Sequence, residues 1–265
     1  MNILSFEFKR HLKMTIFFAL FLAIFSSGIL FFYIYIKEDL DMMMEFFDRF
    51  PAPMKAMMGS EVSIVTKPLG LFSFIYSFIS LIPAIQAIYL GLSIHGSPFS
   101  EKTSEFIFTK PASRARHFVM KVFSGFALLI LETVFFIAVL ALVLFFMGES
   151  DDSASTLLWF ADAFLLTQVV FFALGTLLAY LFMGIKSYLS VSLGVAAFFF
   201  AISAFAVSGN TDKLKFLTPF QYHRFDSVLL NGYLDSDLFF FSLLIITVLF
   251  GISYFRLTSA DVYNR

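Results

Sequence analysis

The sequence predicts an all-α membrane protein with six transmembrane helices and both chain ends in the cytoplasm. Three observations carry that prediction. Of the 265 residues, 60% are hydrophobic and 14% charged, where an average soluble domain is about a quarter charged. Six apolar runs, at about 14–36, 69–94, 118–147, 157–184, 188–208 and 238–255, reach or approach the roughly 20 residues that a bilayer core requires. Basic residues also divide unequally between the two sides. With the N-terminus inside, the inner segments hold Lys9, Arg10, Lys13, Lys102, Lys110, Arg114, Arg116, Lys121, Lys186, Arg256 and Arg265, while the outer segments are mainly acidic, with Glu149, Asp151 and Asp152 in one short loop.

Composition excludes several classes. A net charge of −1 gives no basis for binding nucleic acid. The absence of cysteine removes disulfides, thiolate metal sites and cysteine nucleophiles. The 41 phenylalanines, often consecutive as in Phe198–Phe200 and Phe239–Phe241, are expected to face lipid or pack between helices. No connecting segment is long enough to fold alone, so residues 1–265 are expected to form a single transmembrane domain.

At the N-terminus, Leu4, Phe8 and Leu12 recur every fourth residue between polar neighbours. A short interfacial helix over 1–13 accounts for this, and the beginning of the first span is the other reading. The first run is too long for the apolar core of a signal peptide and is expected to stay as an anchor. The outer segment 37–68 carries Met43, Phe46, Phe47 and Phe50 at helical spacing, broken by Pro51 and Pro53. The outer segment 209–237 is too apolar for a free loop. Both are expected to be partly helical caps on the outer face.

Span two contains Pro83, which removes a backbone donor and should bend the helix beside Gln86. Between spans two and three, Ser97–Pro98 reads as a helix start and Pro111 as a stop at Lys110. Ser113 can cap the helix that continues into span three. The outcome is a cytoplasmic helix over 98–110, roughly 18 Å long, with Glu101 and Glu105 on one face. Such a helix can transmit a push, or it can be a connector whose cations rest on anionic headgroups.

Glu132 falls fourteen residues into span three, roughly 21 Å from the inner end. A charge there costs about 3 kcal/mol on insertion scales. It must be protonated, paired or facing a polar cavity, which makes it either part of a translocation path or gate or a packing contact with Gln86, Gln168 or a tyrosine on a neighbouring helix. Asp162, near the outer end of span four, is expected to be solvated at the interface.

The stretch Lys102-Thr103-Ser104-Glu105-Phe106-Ile107-Phe108-Thr109-Lys110-Pro111-Ala112-Ser113-Arg114 resembles a motif of ABC-2-type permeases, the membrane subunits of bacterial ATP-binding-cassette exporters. That motif reads Gly-Thr-Leu-Glu-(aromatic)-Leu-Leu-(Thr/Ser)-(Lys/Leu)-Pro-x-Ser-Arg. The Thr, Glu, aromatic, Thr-Lys-Pro and Ser-Arg positions agree, whereas Lys102 stands for the family's glycine and Ser104 for its first leucine. Pro219-Phe220-Gln221-Tyr222 resembles the family's Pro-Phe-x-Tyr region before the last span. The outline of surface helix, six spans and long first and fifth outer segments agrees along the whole chain.

The resemblance implies that 98–110 is the coupling helix. Glu101, Glu105, Phe106, Lys110, Pro111 and Arg114 would then form the contact with a separate P-loop ATP-binding subunit. It also implies pairing with a second permease chain, as a homodimer or with a related subunit, and a place in the bacterial cytoplasmic membrane among its lipids. The exported molecule would be amphipathic or lipophilic: a membrane-active peptide, a drug or a lipid-like compound.

The chain carries no Walker A loop and no Gly-Lys pair, so ATP and Mg would sit on the partner and this chain would have no cofactor of its own. The four histidines, His11, His95, His117 and His223, are expected on both sides of the membrane, with no H-E-x-x-H and no G-x-S-x-G. No catalytic residue and no metal site is expected. Two other classes fit the residues: a secondary transporter coupled to an ion gradient through Glu132, and an immunity protein that sequesters a toxic peptide.

Overall fold

A computed structural model describes residues 3–39, 45, 49–50, 67–100, 113–148, 153–208 and 215–259. Eight α-helices are formed by the described residues: α1 (Ile3–Ile36), α2 (Pro68–Ile79), α3 (Leu81–Ser100), α4 (Arg114–Met147), α5 (Ser153–Leu181), α6 (Tyr188–Ser208), α7 (Phe225–Asn231) and α8 (Ser236–Ser259). Five of them, α1, α4, α5, α6 and α8, are each long and apolar enough to cross a membrane, and the pair α2–α3, bent by 48° at its break, is a broken span or a re-entrant loop, which gives five or six candidate spans. The chain is therefore an all-helical, multi-pass membrane protein, as its apolar runs predict.

The bend has a local cause. Pro83 cannot donate to the carbonyl of Ile79, and its ring crowds that carbonyl, so the helix breaks at Ser80. Hydroxyls add to the curvature. Ser73, Ser77 and Ser80 return their protons to the carbonyls of Leu69 (2.7 Å), Ser73 (3.1 Å) and Ser77 (2.8 Å), an arrangement that bends helices. The expected kink beside Gln86 is thus present one turn and a half before it.

Two expectations need correction. Residues 3–13 do not form a separate interfacial helix; they are the first turns of α1, which runs unbroken for 34 residues, or about 51 Å. Nor does Ser97–Pro98 begin a helix, because α3 continues through both, with each of them buried, to Ser100. Ser113 does cap the following helix: its backbone is extended and its hydroxyl accepts from the amide of Arg116 at 3.2 Å. That helix therefore starts at Arg114 rather than at 118. At the other end of α4, Gly148 adopts φ 76°, a left-handed stop that an L side chain resists.

α3 packs along α5, α1 along α4, α8 against α5 and α6 against α3. The α3–α5 crossing is a backbone contact. A Cβ on Gly91 would stand 2.4 Å from the carbonyl oxygen of Phe172, and one on Gly175 would stand 2.3 Å from that of Ile88. Small residues at such crossings let membrane helices approach until dispersion forces act between backbones.

The end that holds the start of α1 also holds the end of α3, the start of α4, the end of α5, the start of α6 and the end of α8. Ser124 Oγ donates to the Leu4 carbonyl (3.1 Å), the Ser100 and Tyr188 hydroxyls lie 2.7 Å apart, and Arg114 donates to the Leu257 and Thr258 carbonyls (3.4 and 3.1 Å). At the opposite end, segment 215–235 folds back on the bundle, as its apolar composition predicts. Thr218 donates to the Phe199 carbonyl (2.9 Å), Gln221 to Ser203 (2.6 Å), and α7 ends at Gly232 with φ 76°. Most of segment 37–68 lies outside the described residues.

Candidate functional site

Three polar or aromatic layers lie along the bundle. The first is at the end that holds the N-terminus. Glu7 and His11 are one helical turn apart on α1, and both face inward, with His11 Nε2 3.7 Å from the Glu7 carboxylate. Lys121 of α4 meets the same carboxylate at 3.1 Å. Its ammonium also donates to the Ile94 carbonyl of α3. That carbonyl is the one Pro98 leaves without an amide, since the missing N–H would have pointed to residue 94. Lys121 thus allows α3 to pass Pro98 unbroken.

Around this junction His95 Nδ1 meets the Tyr180 hydroxyl at 2.9 Å, and the His95, Tyr180 and Phe118 rings pack at 5.4–6.0 Å. Arg10 donates to Ser97 at 3.5 Å. Three of the four histidines, His11, His95 and His117, are buried at this end of the bundle, and His223 is buried at the opposite one. Spacing along one helix could have paired Glu7 with His11. Nothing in the sequence joins either to Lys121.

The second layer sits mid-bundle. Gln86 of α3, Glu132 of α4 and Gln168 of α5 converge with 0%, 0% and 1% of their surface exposed. Gln86 Nε2 donates to Glu132 Oε2 at 2.5 Å, and Gln168 is the second amide facing that carboxyl. No ion pair is formed by Glu132 among the described residues. The residues that the sequence singled out as translocation path or packing do come together.

The third layer is an aromatic box one turn further from the end that holds the N-terminus. Phe225 of α7 stacks on Tyr76 of α2 (centroids 4.1 Å, 8°) and on Phe160 of α5 (4.2 Å, 12°). Phe136 and Phe164, each four residues beyond Glu132 and Gln168, stack at 4.7 Å beneath them. A cavity of about 50 Å³ lies beside the box, with a mixed lining in which Phe78, Phe200 and Phe220 stand beside Ser77, Gln221 and Arg224.

On the rim, Arg224 forms a two-pronged pair with Asp226 (2.9 and 2.5 Å). Burial pushes the His223 imidazole down to about 4, partly offset by Asp235, and pushes the Tyr222 hydroxyl up to about 12. The role of Phe225 had no signal in the sequence, where it is one phenylalanine among 41.

Of the residues expected to contact an ATPase, Glu101, Glu105, Phe106, Lys110 and Pro111 lie outside the described residues. Arg114 is placed, and its guanidinium holds the last carbonyls of α8, where a cation also complements the helix dipole. Among the described residues no group of His, Cys, Asp and Glu is arranged to hold a metal ion. No model of a known protein family matches the chain, and no curated protein matches it.

Proposed function

We propose that this chain is the membrane subunit of an ATP-driven exporter of the ABC-2 type, working with a separate ATP-binding subunit and a second permease chain. The observation that supports this most is how the connector 101–112 is rooted. On one side it leaves α3, whose last turns are buried through Pro98. On the other it enters α4 at a capped Ser113, beside an arginine that grips α8. A force applied to the connector would reach α3, α4 and α8 together.

The permease-like motif falls on that same connector. ATP binding by the partner would move the connector, and the kink at Ser80 would let the outer half of α2–α3 respond separately from the inner half. Cargo would pass along the layers of Glu132 and the aromatic box, and an amphipathic or lipophilic molecule suits walls so rich in phenylalanine. The sparsely covered faces of α6 and α8 would meet lipid and the second chain.

The test is affinity purification of the tagged chain in mild detergent with mass spectrometry of its companions. A P-loop ATPase should co-purify, and a Glu105→Arg, Lys110→Glu double variant should lose it. Arg114 is left native because it serves the chain's own packing. If no ATPase accompanies the native chain in any mild detergent, the exporter reading fails.

A further inference from the structure

The end of the bundle that holds the N-terminus carries an uncompensated belt of charge. Lys9 and Lys13 of α1, Arg116 of α4, Lys186 between α5 and α6, and Arg256 of α8 are all exposed there. None of these five side chains makes an ion pair or a hydrogen bond among the described residues. Arg10, exposed as well, is bonded to Ser97. The one acid described at this end is Glu7, which is buried against Lys121. The opposite end is mixed, since exposed Lys37 and Lys67 are accompanied by exposed Asp39, Asp235 and Asp237.

The cations lie where the lipid-facing surface stops. Exposed apolar side chains begin within about one helical turn of a cation on each helix: Ile16 and Phe17 after Lys13, Val119 after Arg116, Leu189 after Lys186 and Ile252 before Arg256. Leu20, Phe123 and Leu193 continue those surfaces. Cations in that position on four helices sit at the level of the headgroups. Lys9 and Lys13 are also one turn apart on the exposed face of α1, a spacing at which like charges repel, and Glu7 faces away from them.

An anion from outside the chain relieves that repulsion. A soluble anion would make no use of the apolar surface that adjoins each cation, whereas a phospholipid carries both a phosphate and acyl chains. A zwitterionic headgroup balances its own phosphate, so the lipid that adds charge is an anionic one, which cations at a membrane surface attract. We propose that this end of the bundle selects anionic phospholipid. The phosphodiester lies between Lys9 and Lys13, with acyl chains along Ile16, Phe17 and Leu20, and Arg116, Lys186 and Arg256 extend the belt around the bundle. This rests on the membrane-spanning character of the chain and not on the exporter reading.

The probes are phosphatidylglycerol and phosphatidylcholine, each spin-labelled on an acyl chain. The measurement is their relative association with the full chain in phosphatidylcholine membranes, read by electron paramagnetic resonance. Phosphatidylglycerol should be preferred at least twofold, and the preference should fall towards unity in about 1 M salt, where charges act over only about 3 Å. A Lys9→Gln, Lys13→Gln double variant should lose at least half of it, while Lys37→Gln, Lys67→Gln should leave it unchanged. Arg116→Gln, Lys186→Gln should lower it by less, and stands in if the first variant does not fold. Glycerol phosphate at matched ionic strength should not displace the labelled lipid.

Equal association of the two lipids, or a preference unchanged in the folded Lys9 and Lys13 variant or in its stand-in, would overturn the belt. Displacement by glycerol phosphate would overturn the lipid as its occupant in favour of a free phosphate. No ATPase is present in this assay, so its failure and the failure of the exporter reading are separate results.

Discussion

Glu7 and Glu132 are both buried carboxyls on long membrane helices, yet they are treated differently. Glu7 meets Lys121 at 3.1 Å and His11 at 3.7 Å, and Lys121 in turn satisfies a proline-freed carbonyl. Glu7 thus has a cation in contact, although Glu7 Oε2 and His11 Nε2 make no hydrogen bond among the described residues. Glu132 has only the neutral amides of Gln86 and Gln168, with oxygens left over. The two carboxyls differ in their neighbours: a cation for Glu7, and only neutral amides for Glu132.

The contrast is sharpened most by removing Lys121. Lys121→Met would strand Glu7 and reopen the Ile94 carbonyl, at a cost of about 3–5 kcal/mol, the range for breaking a buried pair. The thermal transition in detergent should fall sharply, and adding Glu7→Gln should restore much of the loss. If the single variant melts like the native chain, Glu7 and Lys121 are not a structural pair.

A third buried titratable group tests whether segment 215–235 obeys the same rule. His223 titrates near 6.5 when unfolded and at about 4 in the fold, because burial disfavours its cation. The unfolded chain therefore binds more protons between those values, and stability falls as pH drops from about 6.5 to about 4. The loss is on the order of 3 kcal/mol at the acid end. His223→Gln should flatten this part of the pH–stability curve, and an unchanged curve would show that His223 is not the group responsible.

At Glu132 the expected effects on stability are smaller. Glu132→Gln keeps an acceptor for Gln86 and should change stability by less than about 1 kcal/mol, while Glu132→Leu leaves the Gln86 amide unmet and should cost about 1–3 kcal/mol. Equal effects of the two would break the contrast with Glu7. A change of similar size is Ser113→Ala, which removes the cap of α4 and should cost about 1 kcal/mol. It is read from the same melting curves.

Much of the fold was legible in the sequence because the bilayer imposes length and apolarity on each span, and prolines act locally. Pro83 announced its bend, and Ser113 its cap. Pro98 misled because a proline is read as a boundary when its freed carbonyl is assumed to stay empty. Lys121, far away in sequence, fills it. The N-terminal periodicity was likewise compatible with a surface helix, and only the burial of Glu7 and His11 against α3 and α4 makes it part of the span.

The sequence by itself therefore determined the all-helical class, the approximate ends of the apolar helices, the charge asymmetry of the connectors and several of the places where the backbone must bend or stop. Each follows from one residue or one local run meeting water, lipid or its own helix. Only the tertiary structure decided which faces meet: Gly91 on Gly175, Lys121 on Glu7, Gln86 and Gln168 on Glu132, and Phe225 in its aromatic box. Helical spacing shows which residues share a face. It does not show which neighbour that face will find, because partner choice depends on the rotation and crossing of every helix at once.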